Sequence, residues 1–464
     1  MNVKRRDRNI LLIVMLGNFL GFLNQTLMNV ALPSIMREFD ITASQGQWLS
    51  NGYMLINGVM IPLTAFLIER FKTKHLYLTA MVMFTIGTLI GGFASNFPIL
   101  IVGRMFQAAG TGILIPLMNV ITMQIFPINK RGRAMGFIGL AMNFAPAIGP
   151  TLSGYIVTNY AWRYLFYTVA PLAIIDVILA SFLLKNYGKV TKKPVDLISV
   201  SLSVLGMGAL LAGLSNAGDG QWLTWSVLGL IFVGIAILTY FVRLQLIRKT
   251  PLLNFDVFEH RNFSLSVLTN VFVMMALYGG TLLLPLFIQN VQGRSAQISG
   301  LVLLPGALVT AVMSPISGNL YDRYGAKYLS FIGLIVLAAS TFMFANLKMT
   351  SSIIYIIICQ AIRNLGIGMI TMPLQTEALN TLPRDLIAHG SAMFTTIRQI
   401  AGSVGTAALI TIMSIVARDS ASTSQRLAQL HGINIAYLVC GILALVGAVC
   451  ALRLTPRNQQ TQYQ

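Results

Sequence analysis

The sequence predicts an all-α polytopic membrane protein with fourteen transmembrane helices, and three observations support this prediction. Hydrophobic residues make up 56% of the 464-residue chain and charged residues only 10%, whereas soluble domains carry about 25% charged residues. The apolar runs are long enough to cross a bilayer, which takes about 20 helical residues. Basic residues lie in short clusters between these runs, so the net charge of +19 indicates topology-setting loops and not a nucleic-acid surface.

An even number of crossings puts both chain ends on one side of the membrane. Most of the 32 lysine and arginine residues fall in the segments on that side, so both termini are expected in the cytoplasm. The basic residues 1–10 are followed by no small-residue cleavage site, which predicts a retained first helix. The predicted spans are residues 11–32, 48–68, 75–95, 98–122, 134–157, 162–184, 197–215, 222–243, 263–288, 297–320, 328–346, 352–374, 390–415 and 433–453.

A weak internal repeat predicts how these spans are organised. Charged loops follow span two (residues 69–74) and span ten (residues 322–327), and two spans after each loop an arginine, Arg104 or Arg363, lies in a glycine-rich run. Parallel halves of this kind are a transporter architecture, with the substrate site between the halves. The predicted units are a six-helix bundle in residues 1–190, two inserted linker helices in residues 191–260 and a second six-helix bundle in residues 261–464.

Several short motifs carry a resemblance to a known family. They are Thr26 to Pro33 at the end of span one, the two charged loops, the Arg104 segment, Ala145 to Gly154 in span five, Leu284 to Gln289 followed by Gln292 and Gly293, and Pro305. With these motifs in this order, the chain resembles the fourteen-helix drug:proton antiporter branch of the major facilitator superfamily. The resemblance covers essentially the whole length of the chain.

The resemblance implies a major facilitator fold and a function. We expect proton-coupled efflux of small amphipathic compounds, that is multidrug export and antibiotic resistance, by alternating access across a bacterial plasma membrane. The expected partners are the substrate, protons and the lipid bilayer. No cofactor is expected beyond the proton gradient, and a single chain is expected to work as a monomer.

The charged loops are the predicted gate. An acid at a helix end followed by basic residues can pair across the bundle or bind a helix N-terminus, so Glu69 and Arg70, and Asp322 and Arg323, are expected to hold the inner side closed. The first copy departs from the family pattern through Ala65, Lys72 and Glu69, so we expect looser gating there.

Span five carries a stripe of small residues and prolines that predicts close approach of another helix. By resemblance this stretch is typical of exporters, and Gly149, Pro150 and Gly154 are its predicted gating residues. The other members of the stripe are Gly132, Gly136, Gly139, Asn143 and Pro146.

The expected proton-coupling residues are Asp176, Glu377 and Arg104. The resembled family usually has an aspartate in span one where this chain has Asn24, and an asparagine cannot carry a proton. Asp176 in span six and Glu377 at the inner end of span twelve are the remaining acids within or next to spans. Arg104 is expected to face polar groups of span one such as Asn24 or Gln25, since a cation in hydrocarbon normally faces the bundle interior.

Polar residues within the spans are the predicted lining of the substrate cavity. They are Asn18, Asn24, Gln25, Asn143, Arg363 and Arg398. The intramembrane arginines and the missing span-one aspartate favour a neutral or anionic cargo, so a dedicated exporter of an endogenous lipid, fatty acid or metabolite remains an alternative. A proton-coupled uptake symporter is a further alternative, which the span-five stripe disfavours.

An enzyme or a sensor is the remaining class, and the sequence argues against it. The four histidines are dispersed and accompany no nucleophile or metal-spaced partner, and the three cysteines lie in apolar runs without CxxC spacing. No metal site is therefore expected. The chain also lacks a nucleotide-binding Gly-Lys-Ser/Thr loop, so ATP is not expected to be the direct energy source.

Overall fold

A computed structural model describes residues 5–187, 196–217, 224–248, 250–419 and 424–456. In these residues fourteen helices are long and apolar enough to cross a membrane, which confirms the predicted number of spans. The described residues contain no β-strand. The helices are α1 (Arg5–Phe39), α2 (Ala43–Arg70), α3 (Thr73–Gly92), α4 (Phe97–Ile125), α5 (Arg131–Asn159), α6 (Tyr164–Leu183), α7 (Leu197–Ala217), α8 (Trp225–Ile247), α9 (Arg261–Leu286), α10 (Ala296–Tyr324), α11 (Ala326–Phe344), α12 (Ile353–Asn380), α13 (Ile387–Asp419) and α14 (Gln425–Leu452).

Local sequence signals begin and end several of these helices. At the start of α2, the side chains of Thr42 and Gln45 each accept a hydrogen bond from the other residue's backbone N–H, which forms a capping box. The side chains of Asn96 and Ser295 cap the N-termini of α4 and α10, where each accepts a hydrogen bond from a backbone N–H of the first turn. Gly325 lies between α10 and α11 with φ of 77°, a conformation that glycine adopts at little cost.

Most helices of each predicted six-helix unit pack on other helices of the same unit. In the first unit α3 packs against α4 and α6, and α1 against α5 and α6; in the second, α11 packs against α12 and α14, and α9 against α13 and α14. The two units meet chiefly where α5 packs along α10 and where α2 packs along α13. The boundary predicted at residue 190 lies outside the described residues.

The two inserted helices pack on each other, and α7 lies against α2 and α13. Large apolar side chains of α8 such as Trp225 and Phe232 are exposed, as expected for a surface that faces lipid. Because every helix crosses the bundle once, α1 begins and α14 ends on the same face. We call it the inner face; the charge distribution predicts that it lies in the cytoplasm.

Candidate functional site

At the inner face the second bundle caps a helix of the first bundle. Asp322, near the end of α10, accepts hydrogen bonds from the backbone N–H groups of Gly132 (2.9 Å) and Arg133 (2.8 Å) at the start of α5. Both carboxylate oxygens are used, and the negative charge lies at the positive end of the α5 dipole. The predicted contact between a loop acid and a helix N-terminus is therefore present here. We call this contact the Asp322 cap.

A glycine is required at this cap because the backbones nearly touch. A Cβ at Gly132 would lie 2.5 Å from the Tyr321 ring and 2.6 Å from the Gly318 carbonyl oxygen. Gly318 in turn faces the Gly132 carbonyl. This part of the small-residue stripe gives the close helix approach that the sequence predicts.

The first charged loop makes a different contact across the bundles. Oε1 of Glu69, at the end of α2, lies 3.1 Å from Nε2 of His389 at the start of α13. The His389 side chain is buried. We call this contact the Glu69–His389 pair. Sequence analysis missed His389, although the internal repeat could have indicated it: if α2 corresponds to α10 and α5 to α13, Glu69 must face the start of α13 as Asp322 faces the start of α5.

The basic residues of the two loops are placed differently from the acids. The Arg70 guanidinium lies 5.8 Å from the centroid of the Phe66 ring one turn earlier on its own helix. Arg323 is exposed. The two acids thus make the cross-bundle contacts described here, and the predicted gating roles of the arginines stay predictions.

Glu377, near the inner end of α12, lies in a buried hydrogen-bond network close to the Asp322 cap. Its carboxylate accepts from the side-chain amide of Asn262 (2.8 Å) and the hydroxyl of Tyr321 (2.9 Å). That hydroxyl also accepts from Asn380, whose Oδ1 accepts from Arg131 of the first bundle at 2.9 Å. The network joins Glu377 to the opposite bundle.

Asp176 lies inside the first bundle, away from the interface between the bundles. Its Oδ2 accepts a hydrogen bond from the Tyr77 hydroxyl at 2.7 Å. A Cβ at Gly17 would come within 3.3 Å of the same oxygen, so the missing side chain on α1 makes room for this pair. The other oxygen, Oδ1, is buried without a hydrogen-bond partner among the described residues.

Arg104 lies in the interior of the first bundle against α1. It donates to the Asn24 side chain, the partner that the sequence suggested, and to Oε1 of Gln107 at 3.0 Å. Its guanidinium carbon lies 4.3 Å from the centroid of the Tyr53 ring, a cation–π geometry. The asparagine at position 24 therefore acts as a neutral acceptor for a buried cation.

The other two intramembrane arginines belong to the second bundle. Arg363 donates to the carbonyl of Ala276 on α9 at 2.7 Å, and a Cβ at Gly280 would collide with its guanidinium. Its Nε and Nη1 are buried without a partner among the described residues. Arg398 is half-buried near Tyr278. In the described part of the chain, no carboxylate pairs with Arg104, Arg363 or Arg398.

The amides predicted to line the cavity are spread over several environments. Asn18 is buried and donates to the carbonyl of Val14 on its own helix at 2.9 Å. Gln25 is half-buried on α1. Asn143 on α5 donates to the hydroxyl of Ser314 on α10 at 3.2 Å, so it lies at the interface between the bundles. The structure does not bring these amides into one cluster.

The outer half of the α5 stripe corrects one expectation. Gly149 does pack closely, since a Cβ there would lie 2.1 Å from the hydroxyl of Thr26 on α1. Pro150 is exposed, and a Cβ at Gly154 would meet nothing within 4 Å. The close approach predicted at Gly154 is therefore wrong: Gly132 and Gly136 lie against α10 and Gly149 lies against α1, but no neighbouring helix lies within reach of position 154.

Comparison with known proteins decides the family. The model of the Major Facilitator Superfamily matches residues 14–406. The chain belongs to this superfamily. This transporter is 46% identical to the uncharacterized MFS-type transporter YcnB of Bacillus subtilis (strain 168), over 97% of this chain and 96% of that protein. It is 36% identical to the lincomycin resistance protein LmrB of the same strain, over 95% of this chain and 94% of that protein.

A solved structure agrees with the assigned fold. The crystal structure of the human organic anion transporter MFSD10 is similar with a TM-score of 0.69 at 12% identity, covering 96% of this chain and 99% of that one. The predicted all-α major facilitator fold is thus confirmed, as is the prediction of a multi-pass membrane transporter and not an enzyme. Among the described residues no cluster of histidine, cysteine and acidic side chains is suited to a metal ion.

Proposed function

We propose that this transporter exports small amphipathic compounds, antibiotics among them, across the plasma membrane in exchange for protons. It would work by alternating access, as a monomer and without a cofactor. The similarity to LmrB, whose name records lincomycin resistance, supports export as the direction. The observation that carries the proposal is the way in which the two bundles meet at the inner face.

The inner face is closed by contacts that a rocking motion can break. The Asp322 cap, the Glu69–His389 pair and a hydrogen bond between Asn119 and Ser391 (3.0 Å) each have one partner on either bundle. These contacts lie between the middle of the helices and the inner face. A closed inner side with separable polar contacts is what one end state of alternating access requires.

Proton coupling is assigned to Asp176 and Glu377, with Arg104 on α4, which lies against Asn24 of α1, as the third member of the set. Both carboxylates are buried, and each accepts a hydrogen bond from a tyrosine hydroxyl. A proton on either carboxyl would remove a charge from a bundle interior, and for Glu377 it would change a network that joins the two bundles. Such a difference between two states couples proton binding to substrate release.

Efflux of a dye from proteoliposomes under an imposed pH gradient tests this proposal. We expect the wild-type protein to export ethidium only with the gradient, and Asp176→Asn or Glu377→Gln to reduce efflux to that of empty liposomes. Asp40→Asn is the matched control, since Asp40 is exposed at the end of α1 and asparagine tolerates its positive φ. Unchanged efflux in both buried variants would mean that another group couples the proton.

A second candidate is a dedicated exporter of an endogenous neutral or anionic lipid, fatty acid or metabolite. The placement of Arg363 favours it, because two of its donors are buried without a partner among the described residues and a buried cation attracts an anion. In the same assay, gradient-driven export of an anionic dye but not of ethidium would support this candidate. Export of ethidium would show that Asn24 does not prevent recognition of a cation.

A further inference from the structure

The two inserted helices are joined at the inner face by a partly exposed ion pair and a buried hydrogen bond. Asp196, just before α7, forms an ion pair with Arg248, just after α8. Gln245 on α8 is buried and donates to the hydroxyl of Ser199 on α7 at 2.6 Å. A buried amide with this partner holds the two helices in one register. We call the pair α7 and α8 with these contacts the inserted hairpin.

The inserted hairpin also holds the segment that leads from it to the second bundle. Oε1 of Gln245 accepts from the backbone N–H groups of Leu252 (2.6 Å) and Leu253 (3.5 Å). Both leucines are buried in a cluster that includes Phe263, at the start of α9, and Ala392 of α13. The connection between the hairpin and α9 is therefore packed into the inner interface.

The next residue reaches the gate itself. The backbone N–H of Asn254 donates to Nδ1 of His389 at 3.3 Å. An imidazole nitrogen that accepts a hydrogen bond carries no proton, so the other nitrogen, Nε2, is the one that donates to Glu69. Asn254 thereby sets the tautomer that the Glu69–His389 pair needs. One ring joins α2, α13 and the connection from the inserted hairpin.

We propose that His389 is a positioning residue that couples the inserted hairpin to the gate, so that the hairpin stabilises the closed inner face. The Asn254 N–H orients the ring toward Glu69, and Gln245 orients the Asn254 segment. When α2 and α13 separate, this chain of hydrogen bonds must break or move with one bundle. The inference rests on the alternating-access part of the proposed function and on neither the cargo nor the proton.

Position 254 allows a matched test. Asn254→Pro removes the backbone donor. The φ of −83° at this residue is close to the value that proline requires, about −65°. The Asn254 side chain also caps the following turn by accepting from the N–H of Asp256. Asn254→Ala removes that cap but keeps the backbone N–H, so the difference between the two variants reports the bond to His389.

The readout is alkylation by N-ethylmaleimide of a reporter cysteine at Ala392, in a background in which the three native cysteines are replaced. Ala392 is fully buried one turn after His389, so it reacts only when the inner interface opens. We expect the reporter cysteine to react about threefold to tenfold faster in Asn254→Pro than in Asn254→Ala. This is the change in rate that the loss of one hydrogen bond would produce. In a His389→Phe background the two variants should react at the same rate.

Two results would overturn the proposal. One is equal alkylation in Asn254→Pro and Asn254→Ala, and the other is a proline effect that persists in the His389→Phe background. If the proline variant does not insert into the membrane, Gln245→Met replaces it. This change removes the acceptor for the Leu252 and Leu253 N–H groups that precede Asn254, and it should also accelerate alkylation only when His389 is present. Alkylation needs no cargo and no gradient, so failure of the proposed efflux reaction would leave this test valid.

Discussion

The two charged loops occupy corresponding positions in the two halves, yet they close the inner face in different ways. Asp322 binds two backbone N–H groups of α5 directly. Glu69 binds the side chain of His389. The first contact depends on main-chain atoms and on a glycine that lets the helices touch, whereas the second depends on a side chain whose orientation another segment sets.

This difference has a physical origin in what lies at each helix start. At α5, Gly132 leaves no side chain between the N-terminal amides and the Asp322 carboxylate. At α13 the imidazole of His389 lies between the helix and the longer Glu69 side chain. Asp322 therefore binds the N-terminus of α5 itself, where the helix dipole is positive. Glu69 binds the His389 side chain, whose orientation other residues can change. The halves therefore share a geometry but differ in what controls it.

The largest expected effect comes from removing the charge of the Asp322 cap. In Asp322→Asn a single acceptor oxygen replaces two, and the new amide group must face a backbone donor. Hydrogen bonds to a charged group contribute about 1.5 to 3 kcal/mol each, so the closed state should be destabilised by about 2 kcal/mol. The Ala392→Cys reporter should then be alkylated about 30-fold faster. Glu259→Gln, the same kind of change at an exposed acid just before α9, is the control and should change the rate by less than about twofold. A rate close to that of the control would mean that the cap does not hold the gate.

The next effect tests the glycine on which the cap depends. In Gly132→Ala the new methyl would lie within 2.6 Å of the Asp322 carboxylate and the Gly318 carbonyl. Overpacking of this kind costs about 1 to 3 kcal/mol, so the purified transporter should unfold at a lower temperature and its reporter cysteine should react faster. Gly154→Ala on the same helix meets open space and should leave both measurements unchanged. Equal unfolding temperatures for the two variants would contradict the close packing of α5 on α10.

The fold and part of the site could be predicted from the sequence. The fourteen spans follow from the length of the apolar runs, because the bilayer fixes how long a crossing helix must be. The neighbourhood of Arg104 and Asn24 follows because a buried cation needs a polar partner and span one offers few. In both cases a physical requirement acts on residues whose pattern is local.

The rest depends on which helix faces which, and spacing does not show that. Gly154 belongs to the same stripe of small residues as Gly132, but a Cβ placed at Gly154 would meet no atom within 4 Å. Glu377 is buried by Tyr321 and Asn262, which are far from it in the sequence. His389 was missed because a single histidine at a helix start shows its role only once α2 and the Asn254 segment are in place.

The smallest effect is the most specific for the difference between the two halves. Glu69→Gln keeps the oxygen that accepts from His389 Nε2 and removes only the negative charge. A neutral acceptor makes a weaker hydrogen bond than a charged one, so the closed state should lose about 1 kcal/mol or less and the reporter cysteine should react only about two- to fivefold faster. The same amide change at Asp322 is expected to be several times more disruptive, since two donors there compete for one oxygen. In the His389→Phe background the effect of Glu69→Gln should be smaller, because the imidazole N–H that Glu69 binds is then missing. Equal effects of the two amide variants would contradict the difference between the two loops.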